Sequence, residues 1–173
     1  MEKLNVRSAE RIALRFTRQE LQALLALLKL PALPGTEFTP VEPGEDVLRA
    51  LEEGEWVNAG EGYCLVERVG AMVITNAAFS RRFLLAEDGP IRACIYRCRQ
   101  MYVLLRDGGG KWITLEPLEN AEAARRPFLQ AAEGLKKGRL VLTNDAPPAE
   151  GSPGQAEAYY AKLEEDSYAD DYR

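Results

Sequence analysis

The sequence predicts an α+β fold: an antiparallel β-sheet meander with helices packed on it, followed by a disordered acidic C-terminal tail. Three observations predict it. Short β-rich runs separated by Gly, Asp and Pro turns fill residues 83–118. Leucine-bearing helix patterns with start and stop signals precede them. Composition then changes abruptly beyond Asp145. The expected organisation is one α+β domain over residues 1–145 and a flexible, tyrosine-rich tail over 146–173.

The elements follow in chain order. Ile12, Leu14 and Phe16 alternate with Arg11, Ala13 and Arg15, which makes a short strand with one apolar face. Thr17 is placed to cap a helix, with Glu20 reaching back to complete a capping box. That helix carries Leu21, Leu24, Leu25, Leu27 and Leu28 and stops at Pro31. Its apolar surface is wider than one stripe, as in a helix buried from several sides or set against another subunit. Residues 31–44 hold Pro31, Pro34, Pro40 and Pro43 and read as a stiffened loop. A second helix covers Glu45 to Glu53, burying Val47, Leu48 and Leu51, with Gly54 at C′. Trp56-Val57 begins the return, Asn58 to Gly62 turns, and Tyr63 to Val66 leads onward. Val69 to Ile74 reads as strand or as a buried helical turn.

From there the sheet signal strengthens. Phe83 to Ala86, Ile91 to Cys98, Met101 to Leu105 and Lys111 to Leu115 are strands, the last ending before Pro117. The turns Glu87-Asp88-Gly89-Pro90 and Asp107-Gly108-Gly109-Gly110 make an antiparallel meander of them. Asn120 caps a helix to about Glu133, which Pro127 interrupts. Leu140 to Leu142 is a last short strand. The tail beyond carries four tyrosines in residues 155–173 but almost no aliphatics, so it is expected to be disordered or to dock onto something.

Charge is uneven. Residues 1–145 hold 20 basic and 20 acidic side chains, and residues 146–173 hold 2 and 7, so the tail accounts for the whole net charge of −5. Within the first part, residues 81–111 carry Arg81, Arg82, Arg92, Arg97, Arg99, Arg106 and Lys111 against Glu87, Asp88 and Asp107. Such a segment meets phosphates, an acidic partner, the chain's own tail or only solvent. Strand, helix, proline loop, helix, turn and strand also occur in that order in winged-helix modules, which keeps a nucleic-acid-binding regulator as an alternative. Against it, residues 45–55 hold five acidic side chains and only Arg49 opposing them, where a DNA reader needs a basic surface. Nucleic acid is therefore not the expected partner.

The sequence has no histidine, which removes the commonest general base, the commonest zinc ligand and every Ser-His or Cys-His nucleophile pair. Catalysis by carboxylate, lysine or tyrosine in a hidden pocket stays open as a further alternative, but no enzyme, metal or cofactor is expected. Cys64, Cys94 and Cys98 are an odd set with no repeated spacing, and read as buried or half-buried thiols rather than a disulfide framework. Gly108-Gly109-Gly110-Lys111 lacks phosphate-loop spacing and is followed by a strand, so it reads as a hairpin turn. Glu52-Glu53 and Glu164-Glu165-Asp166 sit where no rigid frame tunes them. The longest apolar stretch, Leu21 to Leu30, is too short to cross a bilayer, and no apolar run follows Lys3; the expected location is the cytoplasm, away from the membrane. Tyr160 and Glu164 match Tyr-x-x-x-Asp/Glu, a short pattern found in type VII secretion signals, whose plainer reading is a tyrosine-rich acidic tail.

Three stretches together resemble the EspG-type secretion-associated chaperones of type VII systems. They are Phe16-Thr17-Arg18-Gln19-Glu20-Leu21 continuing to Leu30-Pro31 and Leu33-Pro34; Ala50-Leu51-Glu52-Glu53-Gly54-Glu55-Trp56-Val57; and Tyr102 to Gly108 with Trp112 to Leu118 and the helix after it. Those chaperones have two related halves, and this chain is long enough for one. The resemblance implies a protein-binding, chaperone-like role and a homodimer restoring the two-half body. The expected function is thus a non-catalytic adaptor. The candidate interface residues are Leu21, Leu24 and Leu28 on the leucine-rich helix, Arg92, Arg97 and Arg99 on the sheet, and Tyr160 and Glu164 in the tail.

Overall fold

In a computed structural model, residues 4–7, 11–135, 137–144 and 147–165 are described. The fold is α+β, as the sequence predicts. Strands β1 (Leu4–Arg7) and β2 (Arg11–Thr17) lead into helix α1 (Arg18–Leu27); helix α2 (Glu45–Glu53), a small hairpin of β3 (Val57–Gly60) and β4 (Tyr63–Val66), and helix α3 (Arg68–Ala78) follow. The meander is β5 (Arg82–Asp88), β6 (Ile91–Arg97), β7 (Tyr102–Asp107) and β8 (Trp112–Leu118), and then comes helix α4 (Ala121–Glu133). Strand β9 (Arg139–Asn144), strand β10 (Ala149–Gly151), a 3-10 turn at Pro153–Gln155 and helix α5 (Ala156–Glu164) close the described chain. Eight strands form one sheet in the order β1-β2-β8-β7-β6-β5-β9-β10, every neighbour antiparallel.

Register explains why both faces of this sheet are covered. Val141, Leu85, Cys94, Leu105, Leu115 and Leu14 are successive cross-strand partners, a continuous apolar row on one face. With Phe16, Tyr96 and Val103 they form a core with α1, α2 and α3. One residue along, Leu142, Leu84, Ile95 and Leu104 make the matching row on the opposite face, where α4 and α5 pack. Strands buried on both sides lose polar alternation, so β6 reads as near-continuous burial from Arg92 to Tyr96.

Local chemistry sets the helix ends. Thr17 accepts from the Glu20 amide at 3.1 Å while the Glu20 carboxylate accepts from the Thr17 amide at 2.8 Å, the capping box the sequence predicts. Helix α2 has its expected bounds, but Gly54 is not its left-handed residue: Gly54 has φ −80° and Glu55 has φ 62°. The Trp56 amide reaches the Leu51 carbonyl and the Glu55 amide the Glu52 carbonyl, a Schellman motif closed by the buried Leu51 and Trp56 side chains. Pro127 does not break α4, because Ala124, Phe128 and Ala132 are buried on one face and anchor the turns on both sides of it. Strand β8 runs through Pro117, at a position beyond the stretch paired with β2, where a missing amide is tolerated. Gly138 is required by close approach, since a Cβ there would meet the Glu87 carbonyl oxygen at 2.0 Å.

The stretch left open between strand and helical turn, Val69 to Ile74, lies within helix α3. Another expectation is corrected. The disorder expected of residues 146–173 does not extend to 149–164: β10 pairs with β9, and Ala156, Tyr160 and Leu163 of α5 are buried against the sheet. Residues 149–164 dock, and what they dock on is the chain's own second face. Residues 166–173 lie outside the described residues. Among the described residues no helix is long and apolar enough to cross a membrane. Of the elements that suggested a winged helix, β2 is a strand of the eight-stranded sheet, and α1 and α2 pack on one face of it.

Candidate binding site

Antiparallel pairing gathers arginines at one end of the sheet. Arg82 opposes Arg97, Arg97 opposes Tyr102, and Tyr102 opposes Leu118, so the ends of four strands stand in one row. Around that row come the end of α3, the β6–β7 turn, the start of α4 and the end of α5. Ser80 locks the α3–β5 link by donating to the carbonyls of Arg82 and Arg97, both at 2.9 Å. Between these parts lies a cleft of about 1010 Å³, lined by Arg81, Arg82, Arg97 and Arg99 against the carboxylates Glu119 and Glu164. Its apolar wall is Phe79, Met101 and Tyr102. Phe79 is 62% exposed, a large aromatic left in water at the rim.

Arg82 and Arg97 do a specific job there. Arg97 donates through Nη1 to the carbonyls of Leu163, Glu164 and Glu165 at 2.8, 3.0 and 2.9 Å. Arg82 donates to the Leu163 carbonyl at 3.0 Å and also to that of Glu165. These are carbonyls of the last turn of α5, which have no partner inside their own helix. Two guanidinium groups therefore cap the negative end of α5. Arg81 and Arg99 are exposed on the cleft.

The other candidate residues separate. Arg97, Arg99 and Glu164 meet at this cleft. Arg92 sits five residues back along β6, about 17 Å away. It is buried, paired with Glu37 and stacked 5.7 Å over Phe38. Leu21 and Leu24 are wholly buried in the chain's own core and Leu28 is half-buried, so the wide apolar face of α1 is used by the sheet and offers Leu21 and Leu24 to no partner. Tyr160 is wholly buried, its ring stacked on Phe128 with centroids 5.9 Å apart and its hydroxyl donating to the Ala121 carbonyl at 2.5 Å. A side chain so placed is not displayed as an address in this fold. Sequence reasoning missed Phe79, Glu119 and Asn120 as members of the site. Only the exposed aromatic just past a helix end was a signal for them.

Chemically the cleft presents four guanidinium groups, two carboxylates and one thiol. Its thiol, Cys98, is pushed up to about 12 by burial, so it stays protonated and is a poor nucleophile at neutral pH. Among the described residues no three His, Cys, Asp or Glu side chains group as metal ligands.

A smaller cleft of about 460 Å³ lies at the opposite end of the sheet, between α1, α2 and the start of β8. Its rim carries Asp46, Glu53 and Lys111 around Val47 and Ala50.

No protein-family model matches this sequence, and no curated protein matches it. Among solved structures the fold is similar to that of the Mycobacterium tuberculosis type VII secretion system chaperone EspG5, determined in complex with the PE25-PPE41 dimer. The match has a TM-score of 0.53 at 13% identity and covers 71% of this chain and 52% of the chaperone chain. This chain thus spans about half the length of the chain it matches. At that identity the likeness is one of fold. It meets the resemblance read from the sequence at that level.

Proposed function

We propose that this chain is a non-catalytic, chaperone-like adaptor that holds an acidic segment of a partner protein in the arginine-lined cleft. The observation that carries the reading is the convergence of four arginines and exposed Phe79 at the ends of three helices, beside a thiol held protonated. Aromatic and arginine side chains together are the usual anchors of a protein interface. The likeness to a chaperone solved with a bound protein dimer supports the same class of function. A cytoplasmic setting fits the three free cysteines.

Pairing of two copies belongs to this reading, because the chain spans about half of the matched chaperone chain. With α1 buried, the face left for pairing is the β3–β4 hairpin, where Tyr63 and Leu65 are 51% and 63% exposed. Light scattering on the purified chain should give twice the monomer mass, and Leu65→Asp should return it to one. A monomer at every concentration would remove the pairing.

The cleft is tested by affinity capture from the native extract, followed by reconstitution of the captured protein with purified chain. A stoichiometric complex is expected that Arg81→Ala/Arg99→Ala abolishes and that raised salt weakens. A complex indifferent to both, or none at all, would refute the cleft.

A further inference from the structure

The β3–β4 hairpin is a sheet of two strands, so each strand has a second edge. One bond fixes where the β4 backbone points. The Glu67 amide donates to the Trp56 carbonyl at 2.7 Å, just past the paired residues Val57 and Val66. Bonded and non-bonded pairs alternate along an antiparallel ladder. Tyr63 and Leu65 therefore bond to Gly60 and Asn58, and the amides and carbonyls of Cys64 and Val66 point away from β3. Among the described residues β4 pairs with no other strand. Sheet edges are usually blunted by charge, proline or shortness. At the margin of the large sheet, β10 is three residues long and carries Glu150. Strand β4, Tyr63-Cys64-Leu65-Val66, has neither charge nor proline, and Tyr63 and Leu65 are exposed on it. A side chain at Gly60 would meet the Tyr63 ring at 2.5 Å, so that ring lies back over β3, away from the outer edge. Opposite charges bracket the strand: Glu61 precedes it and Arg68 follows it, both exposed. The Glu67 carboxylate is turned inward, accepting from the Gly70 amide at 2.7 Å.

We propose that two copies of this chain join the outer edges of β4 antiparallel, with Leu65 on the two-fold axis, into one four-stranded sheet. The proposal rests on the reading that two copies pair through this hairpin, and it adds the mode and the register. An isologous contact sets the start of one strand against the end of the other, so Glu61 of each copy comes beside Arg68 of the other. Cys64 of each copy exchanges both backbone bonds with Val66 of the other, which uses every outward amide and carbonyl of the strand. Leu65 faces Leu65 at the close, non-bonded spacing of about 4.5 Å between Cα atoms. An axis at Cys64 instead would oppose Glu61 to Glu67 and set Val66 against the Gly62 turn.

The test is disulfide trapping in the full chain. Cys64→Ser/Leu65→Cys treated with copper-phenanthroline should form an interchain bridge through residue 65, because the spacing lies in the bridging range. Cys64→Ser/Tyr63→Cys should not, because its two copies stand four residues apart along the seam, about 13 Å. Cys64→Ser alone is the control for Cys94 and Cys98. By sedimentation, Glu61→Arg should raise the dimer dissociation constant about tenfold, and Glu61→Arg/Arg68→Glu should restore it. Bridging at both positions alike, no bridge through residue 65, or a charge reversal that the double variant does not rescue overturns the proposal. The two readings fail separately. A dimer by light scattering with no bridge through residue 65 keeps the pairing and removes the seam, whereas a monomer at every concentration removes both.

Discussion

The two ends of the sheet use the same residue in opposite ways. At the end where β2 meets β8, Arg18 makes a two-pronged contact with Asp107 at 2.7 and 2.9 Å, and the Asp107 side chain is wholly buried. Arg18 and Arg92 each stack 5.7 Å over Phe38, and Arg92 pairs with Glu37. Every cation named there has a carboxylate, and the proline loop is pinned to the sheet as a result. At the other end Arg82 and Arg97 donate to the backbone carbonyls that end α5, beside Arg81 and Arg99 on the cleft. Arginine density therefore did not locate a site. The two ends differ in the acceptors the arginines meet: carboxylates for Arg18 and Arg92, and the carbonyls that end α5 for Arg82 and Arg97.

That contrast is open to attack at four points. The cleft end depends on α5, so Tyr160→Ala should cost about 4 kcal/mol, the usual range for removing a buried aromatic, and denaturant titration should show it. A loss below 1 kcal/mol would mean that α5 is not part of the fold. At the closed end, Arg18→Ala strands a buried carboxylate and should cost about 3 kcal/mol. Arg18→Lys should recover only part of it, because an ammonium lacks the planar fork.

The ends should also answer to opposite pH extremes. Cys98 has a raised thiol pKa, from 9.0 to about 12, so its contribution is complete below pH 9 and is lost as pH climbs toward 12. Cys98→Ala should flatten that alkaline slope. Glu37 is lowered, chiefly by its hydrogen bond from Arg92, so its small contribution holds above 4.5 and fades as pH falls through the folded value. Unfolding midpoints from pH 3 to 11 compare the two limbs, and matching slopes in wild type and Cys98→Ala would cancel the first. Arg99→Ala comes last: stability within about 0.5 kcal/mol of wild type, with partner capture lost. A large stability loss there would make Arg99 a structural residue like Arg18.

Much of the fold was legible because local chemistry and tertiary packing agreed. The capping box at Thr17 and Glu20, the bounds of α2 and the meander between Arg82 and Leu118 each follow from short-range signals that the packing keeps. Val69 to Ile74 was ambiguous because a run apolar at nearly every position shows no clear period; helix α3 buries Val73, Ile74, Ala77 and Ala78 while Met72 and Phe79 stay exposed. The tail was misread for a different reason. Its three buried residues, Ala156, Tyr160 and Leu163, do follow helical spacing. Judged alone, they are too few to hold a helix. They suffice because Phe128, Tyr102 and the β5–β9 strands supply the other wall. The cleft was half visible: its arginines were counted, but their meeting needs the Arg82–Arg97 pairing, and no local pattern encodes a partner 15 residues away.

The late position of α5 has a consequence for synthesis. Strand β5 is made early, yet the surface over Leu84, Ala86 and Leu142 is sealed by residues 156–163. While the ribosome is still adding those residues, the growing polypeptide presents a greasy flank that only its own completion hides. Premature termination near residue 145 should therefore yield a sticky, chaperone-dependent product rather than a trimmed native body.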